Sequence, residues 1–263
     1  MKNKLQVKVL GSGTSQGVPV IGCKCEVCTS SNPKDNRLRS SILFSWNDQN
    51  FVIDTGPDFR QQMLREEVSS LRAVIYTHEH KDHVAGMDDV RSFNFLERRS
   101  MELFCTEAVA VALKREFYYA FGVNLYPGVP RVNINIIENK PFRLPDGPMI
   151  TPILGYHYKM PVFGYRIGDF AYMTDVKTIP IKEMRKLEGV HTLILDCLRE
   201  EPHVSHLNLV EALDIINYLK PKKSYLTHIS HLFGTHEQIL KKTPLSVEPA
   251  YDGLTIDMQC DSI

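Results

Sequence analysis

The feature that most narrows what this chain can become is a repetition: apolar runs end, again and again, on an acid or a histidine. Asp54, His78, His157, Asp175, Asp196 and His228 each close such a run. Alternating or short continuous apolar runs read as half-buried or buried strands. Strand ends along one edge of a sheet are where α/β proteins assemble ligand sites. Strands are expected at 4–10, 41–44, 51–54, 71–76, 132–138, 149–155, 162–167, 170–174, 190–196, 223–228 and 253–258, with a polar turn at Trp46–Asn50 making one hairpin. Helices are expected at 58–68, capped by Asp58, and at 84–97, 106–120, 179–188 and 206–219. In the last of these, Leu209, Val210, Leu213 and Ile216 share one apolar face. Many strands with helices before, between and after them make a layered α/β protein.

Composition removes several alternatives. The 31 Lys and Arg balance 31 Asp and Glu, which argues against a broadly basic nucleic-acid surface. At 263 residues and 43% hydrophobic, the chain can build a core without disulfides. No apolar run approaches the ~18–20 residues of a membrane span. The N-terminal stretch Met1–Leu10 mixes charge with apolar residues and lacks the core of a signal peptide. A cytoplasmic protein is expected, without a membrane partner and with no repeat or linker to mark a domain boundary.

The densest chemistry lies at Thr77-His78-Glu79-His80-Lys81-Asp82-His83. A strand-to-helix turn can aim His78 and His80 at one metal while Asp82 and His83 face another. Imidazole and carboxylate ligands without a thiolate suit zinc, manganese or iron. This H-x-H-x-D-H run after an apolar strand resembles the signature of the metallo-β-lactamase-fold hydrolases. Other landmarks of that family occur in order: Phe51-Val52-Ile53-Asp54-Thr55-Gly56, His157, Asp175 in Tyr-Met-Thr-Asp, and His228 in Tyr-Leu-Thr-His.

The resemblance implies a four-layer αββα sandwich of the α/β class, with residues 1–263 as a single hydrolase domain. It implies that His78, His80 and His157 hold one divalent metal (zinc or manganese). Asp82, His83 and His228 would hold a second, with Asp175 bridging and a hydroxide shared between the ions. Asp54 would hold the His78–His83 loop in place by hydrogen bonds. A homodimer is a common assembly of this fold, although no residue of the sequence requires one.

Cys23, Cys25 and Cys28 form a C-x-C-x-x-C run that suits thiolates converging on a soft metal better than three disulfides. Together with Gly11–Pro19 it is similar to the phosphoribosyl cyclic phosphodiesterases of the PhnP type and to PqqB-like proteins. The first likeness implies a structural zinc held by Cys23, Cys25, Cys28 and His231. Cys105, Cys197 and Cys260 read as small buried hydrophobes.

The segment Pro202–Leu209 is similar to one in which phosphodiesterases of the family, including the RNase Z branch, carry a histidine that contacts the scissile phosphate or protonates the leaving oxygen. His206 is the first candidate and His203 the second, and Lys159 is a candidate phosphate contact. The aromatic stretch Phe117–Tyr126 reads either as a core helix or as a lid or dimer contact. The expected function is phosphodiester hydrolysis of a small phosphate ester, cyclic esters included, with Asp82 in the catalytic set. Thioester or lactone cleavage at the same centre is the alternative enzyme, and a PqqB-like small-molecule carrier the non-catalytic one. No basic arm of the kind that grips tRNA is present, which disfavours a nucleic-acid substrate.

Overall fold

A computed structural model of the chain describes residues 3–122 and 126–260, the side chains of Asn3, Gln259 and Cys260 excepted. The Cys260 side chain and residues 123–125 of the aromatic stretch therefore lie outside what the structure describes. The strands are β1 (Asn3–Gly11), β2 (Ser41–Trp46), β3 (Gln49–Ile53), β4 (Ala73–Ile75), β5 (Met101–Cys105), β6 (Val132–Ile136), β7 (Phe142–Arg143), β8 (Met149–His157), β9 (Met160–Ile167), β10 (Phe170–Met173), β11 (Thr192–Asp196), β12 (Lys223–Thr227), β13 (Val247–Pro249) and β14 (Thr255–Cys260). They form two seven-stranded sheets, ordered β14-β1-β2-β3-β4-β5-β6 and β13-β12-β11-β10-β9-β8-β7. Strands β3 to β6 run parallel, as do β10 to β13.

Alternation along the strands builds the layers. Phe51 and Ile53 of β3 and Leu5, Val7 and Val9 of β1 face Tyr165, Ile167, Tyr172 and Ile194 of the other sheet. Val52, Val74 and Leu103 point the opposite way, under helices α1 (Phe59–Arg65), α3 (Arg91–Glu97) and α4 (Glu107–Glu116). Ala171, Leu193, Leu195 and Leu226 do the same beneath α6 (Leu209–Leu219). Side chains of successive strand residues emerge on opposite faces, so one run of sequence supplies two layers of core. The result is the expected αββα sandwich. Each fully buried Leu or Phe contributes about 1.5–3 kcal/mol by leaving water. Among the described residues no helix is long and apolar enough to cross a membrane.

Several expected elements change. The helix expected at 84–97 is broken into α2 (Lys81–Val84), a 3₁₀ turn at Met87–Val90, and α3. The cause is Gly86, whose N–H donates to the Thr55 carbonyl at 2.8 Å. A Cβ there would lie 2.2 Å from the Gly56 carbonyl oxygen. Asp58 does not cap α1: its carboxylate accepts from the Arg39 backbone N–H at 2.9 Å and pairs with the Arg39 guanidinium. On α6 the apolar face is Leu209, Ala212, Ile216 and Leu219, while Val210 is exposed. The expected helix 106–120 stops at Glu116 and ends in a 3₁₀ turn at Tyr118–Ala120. The segment at 179–188 holds only α5 (Ile181–Met184) and a 3₁₀ turn. Strands β5, β7 and β13 and helix α7 (His236–Leu240) were not expected.

Candidate metal centre

Strand ends deliver the site. Asp54 follows β3, His78 follows β4, His157 ends β8, Asp175 follows β10, Asp196 ends β11 and His228 follows β12. The two sheets are tied together here, the Phe163 N–H donating to the Thr77 carbonyl at 3.1 Å and the Tyr165 hydroxyl to the Tyr76 carbonyl at 2.6 Å. Gly56 lets the loop after His80 press against β3, because a Cβ there would meet the Asp82 carbonyl oxygen at 2.2 Å. Asp54, Asp175 and His228 all have left-handed backbone, with φ of 67°, 54° and 60°. Non-glycine residues rarely adopt that conformation, and it clusters at functional sites.

The imidazoles are aimed from behind. The buried Asp54 carboxylate accepts from the Thr77 backbone N–H, the Thr77 hydroxyl and His83 Nδ1–H, each at 2.8 Å. Thr77 Oγ1 in turn accepts from His78 Nδ1–H at 2.9 Å, and the Ser205 carbonyl accepts from His157 Nδ1–H at 2.9 Å. Such outward Nδ1–H bonds leave Nε2 lone pairs for the centre. His78 Nε2 lies 3.9 Å from Asp175 Oδ1, and His83 Nε2 lies 3.2 Å from Oδ2 of both Asp175 and Asp82. His228 Nδ1 approaches Asp175 Oδ2 to 3.0 Å. His78 is too distant and the other two are too poorly aligned for hydrogen bonds, so the site-facing nitrogens of His78, His83 and His228 are buried without a partner. Buried polar atoms left unpaired cost free energy; nitrogens and carboxylates that converge without pairing suit a cation between them.

Electrostatics point the same way. Burial, reinforced by the neighbouring His83, pushes His78 well below the ordinary histidine range. Burial also opposes charge on His83, yet Asp175, Asp82 and Asp54 outweigh it and hold that imidazole well above its usual range. Burial would raise Asp175, but His228 and His83 keep it well below the usual carboxylate range. Ligand atoms lying within 4.8 Å of one another form two groups here, Asp82–His83–Asp175–His228 and His157–Asp175–His206. Asp175 belongs to both. His80 stands at the open side, its ring 4.8 Å from that of His78 and 5.1 Å from that of His157.

His206 does not cap α6. Asn208 does, in a reciprocal capping box with Glu211. This leaves the His206 ring free to pack 4.5 Å from His157 and 4.6 Å from His228. Asp196 Oδ1 lies 3.3 Å from His206 Nδ1, and Oδ2 accepts from the Leu207 N–H at 2.9 Å. Burial disfavours charge on His206, but Asp196 outweighs it and raises the imidazole above its ordinary value. His203 lies outside this ring, its centroid 5.2 Å from His206 and its Nδ1 accepting from the Ser205 N–H at 3.3 Å. Lys159 stands on the β8–β9 turn, its ammonium 5.4 Å above the Tyr158 ring rather than among the ligands. Sequence reading assigned no role to Asp196, Thr77 or Ser205. Asp196 carries the same strand-end signal as its neighbours; the other two carry none.

The second cluster joins the N-terminal loop to the turn after β12. His231 Nδ1 lies 3.4, 3.4 and 3.5 Å from the Sγ atoms of Cys23, Cys25 and Cys28. A tetrahedral zinc with Zn–S near 2.3 Å and Zn–N near 2.0 Å sets S···N edges of roughly 3.5 Å, so these residues fit one. The Cys28 backbone N–H and His231 lower the Cys25 thiol to about 6, whereas burial pushes Cys28 up to about 11. Cys105 and Cys197 are buried away from both clusters' ligand sets.

Residues 49–229 match the family model of the beta-lactamase superfamily domain. A crystal structure described as a new diphosphatase from the PhnP family superposes with a TM-score of 0.93, 38% identity and complete coverage of both chains. Zinc-bound PqqB from Methylobacterium extorquens shares the fold, with a TM-score of 0.79 and 18% identity over 96% of this chain and all of that one. A Porphyromonas gingivalis protein named octanoyltransferase is 36% identical over 249 residues, 94% of this chain but 50% of that protein. This chain thus spans about half the length of that curated relative. Family model and full-length structural relative agree: the chain belongs to the beta-lactamase superfamily and, within it, to the PhnP family, with its hydrolase fold.

Proposed function

We propose that this chain is a metal-dependent hydrolase of disubstituted phosphates, cleaving a small phosphodiester or diphosphate linkage. The observation that carries the reading is Asp175, whose carboxylate oxygens lie 3.9 Å from His78 Nε2 on one side and 3.2 and 3.0 Å from His83 Nε2 and His228 Nδ1 on the other. His78, His80 and His157 would hold one divalent ion and Asp82, His83 and His228 the other, with Asp175 between them. Bound ions of this kind lower the pKa of attacking water and offset charge on phosphoryl oxygens. Asp54 and Thr77 keep His78 and His83 in register with the ions. His206 holds a proton for the leaving oxygen, and Asp196 fixes the ring and keeps that proton in place. As the water oxygen, its proton released to solvent, bonds to phosphorus and the P–O bond breaks, the proton passes from His206 to the departing group, and His206 is reprotonated from solvent. His203 is the reserve donor beside it. Cys23, Cys25, Cys28 and His231 would hold a separate structural zinc.

The diphosphatase in the PhnP family supports the phosphorus chemistry. The name octanoyltransferase does not shift it to acyl chemistry, because half of that protein lies outside the match. The test is hydrolysis of bis(p-nitrophenyl) phosphate, a diphosphate diester and an octanoyl thioester by chelator-treated protein with Mn or Zn restored. Metal-dependent turnover of a phosphorus substrate, abolished in Asp175→Ala, is the expected result. Turnover confined to the thioester would replace this reading with the acyl one. Ligand retention without turnover would favour the carrier.

A further inference from the structure

We propose that the tip of the β8–β9 hairpin, Tyr158 and Lys159, is the recognition platform for the organic part of the substrate. It takes a flat heterocycle of nucleobase type, stacked on Tyr158, with the attached phosphate beside Lys159. The inference rests on the phosphate-ester reading of the site and names its substrate class.

The argument begins with backbone conformation. His157 pairs with Met160, so Tyr158 and Lys159 form a two-residue turn. Tyr158 has φ of 57°, a left-handed value that such turns ordinarily assign to Gly or Asn. The other described non-glycine residues with positive φ have evident reasons. Asn47 and Asp48 make a hairpin turn as Tyr158 does, but with residue types that tolerate the conformation; Asp146 makes another turn, and Glu67, Arg98 and Lys220 follow helix ends. Asp54, Asp175 and His228 belong to the metal centre. Tyr158 alone among them carries a phenol ring, and the residue is 58% exposed. A strained, exposed ring one residue from a candidate ligand is held there against local preference, which is how functional strain presents itself.

Placement supplies the second strand of the argument. His157 Nδ1–H donates to the Ser205 carbonyl at 2.9 Å, so the hairpin tip and the loop carrying His203 and His206 meet at this point. Val204, one residue from that contact, is 64% exposed. Tyr158 and Val204 thus put exposed apolar surface on both loops that meet beside an otherwise polar centre. The Lys159 ammonium, 5.4 Å from the Tyr158 ring centroid, adds the positive charge a phosphate attached to the ring would meet. An aromatic face with an adjacent cation is the chemistry that binds a base and its phosphate.

The test compares kcat/KM of the metal-loaded enzyme for adenosine 5′-diphosphate methyl ester and for dimethyl diphosphate. Tyr158→Gly removes the ring and relieves the left-handed strain, so its folding is not at risk; Tyr158→Phe keeps the ring. The preference for the adenosine substrate should fall about 10- to 100-fold in the glycine variant, chiefly through KM, and return in the phenylalanine variant. An unchanged preference in Tyr158→Gly overturns the proposal. Equilibrium dialysis with adenosine 5′-monophosphate separates this from failure of the hydrolase reading. Binding that wild type shows and Tyr158→Gly loses upholds the platform even if no diphosphate is cleaved, and equal binding by both contradicts it.

Discussion

Two ligand clusters share the short turn after β12, three residues apart, and they are built on opposite plans. His228 belongs to a buried assembly of nitrogens and carboxylates collected from strand ends of both sheets, in which His78, His83 and His157 are aimed by hydrogen bonds from behind. His231 belongs to a half-buried set of three thiols on one loop. The turn between them is anchored to the N-terminal loop, Ile229 N–H donating to the Ser12 carbonyl at 2.9 Å and Thr14 N–H to the Ile229 carbonyl at 3.1 Å. A four-ligand set with short mutual distances closes around an ion. A larger set with a histidine at its open side leaves room for a reacting group. Closed sites hold structure and open ones support chemistry.

Substitutions that separate the clusters test this contrast. The largest effect is expected at Asp175, common to both ligand groups of the buried centre. Asp175→Ala should cost about 10³-fold or more in turnover while circular dichroism and the zinc expected at the thiols stay unchanged; a loss under tenfold would remove Asp175 from its shared role. Cys28→Ser should act the other way, through stability. Losing an ion held about 1,000-fold above its Kd removes about 4 kcal/mol, roughly 8–16 °C in Tm for a chain of this size. Calorimetry showing no shift would make the thiol cluster incidental.

Asp54 probes the layer behind the ligands. Asp54→Asn keeps the volume but weakens the hold on His83, and metal affinity at the buried centre should fall about 10- to 100-fold, read by competition with a chromophoric chelator. An affinity equal to wild type would show that the ligands need no support from behind.

The smallest effect is expected at His236, beyond both clusters. Burial, with Arg37 and Lys34 nearby, lowers its imidazole to about 4. The unfolded chain therefore takes up this proton near pH 6.5 and the folded chain only near 4. His236 contributes stability above pH 6.5 that is lost as pH falls from 6.5 to about 4. His236→Gln should flatten denaturant midpoints across that window; an unchanged slope would exclude His236 from acid unfolding.

Legibility in the sequence followed locality. His78, His80, Asp82 and His83 stand within six positions, and the apolar run before them announces the strand that presents them. Asp196 ends a strand as visibly as Asp175, yet its contact with His206 depends on how the loop at 200–206 folds back, which no local pattern encodes. Strand β5, Met101–Cys105, carries Glu102 inside it and sits between two runs with helical patterns, so it does not stand apart. The break at Gly86 depends on the close approach of Gly56, a contact between distant segments. Tyr158 carries no glycine or asparagine signal, so its left-handed turn could not be foreseen.

The most direct test of the contrast between an open working centre and a closed structural one is graded chelation, with metal content counted and bis(p-nitrophenyl) phosphate turnover followed on the same samples. Turnover that falls with the first, readily removed ions, while about one zinc per chain persists with the thiols protected from alkylation, is the predicted result. Turnover that survives loss of the labile ions, or that disappears only when the thiol-bound zinc leaves, would contradict it.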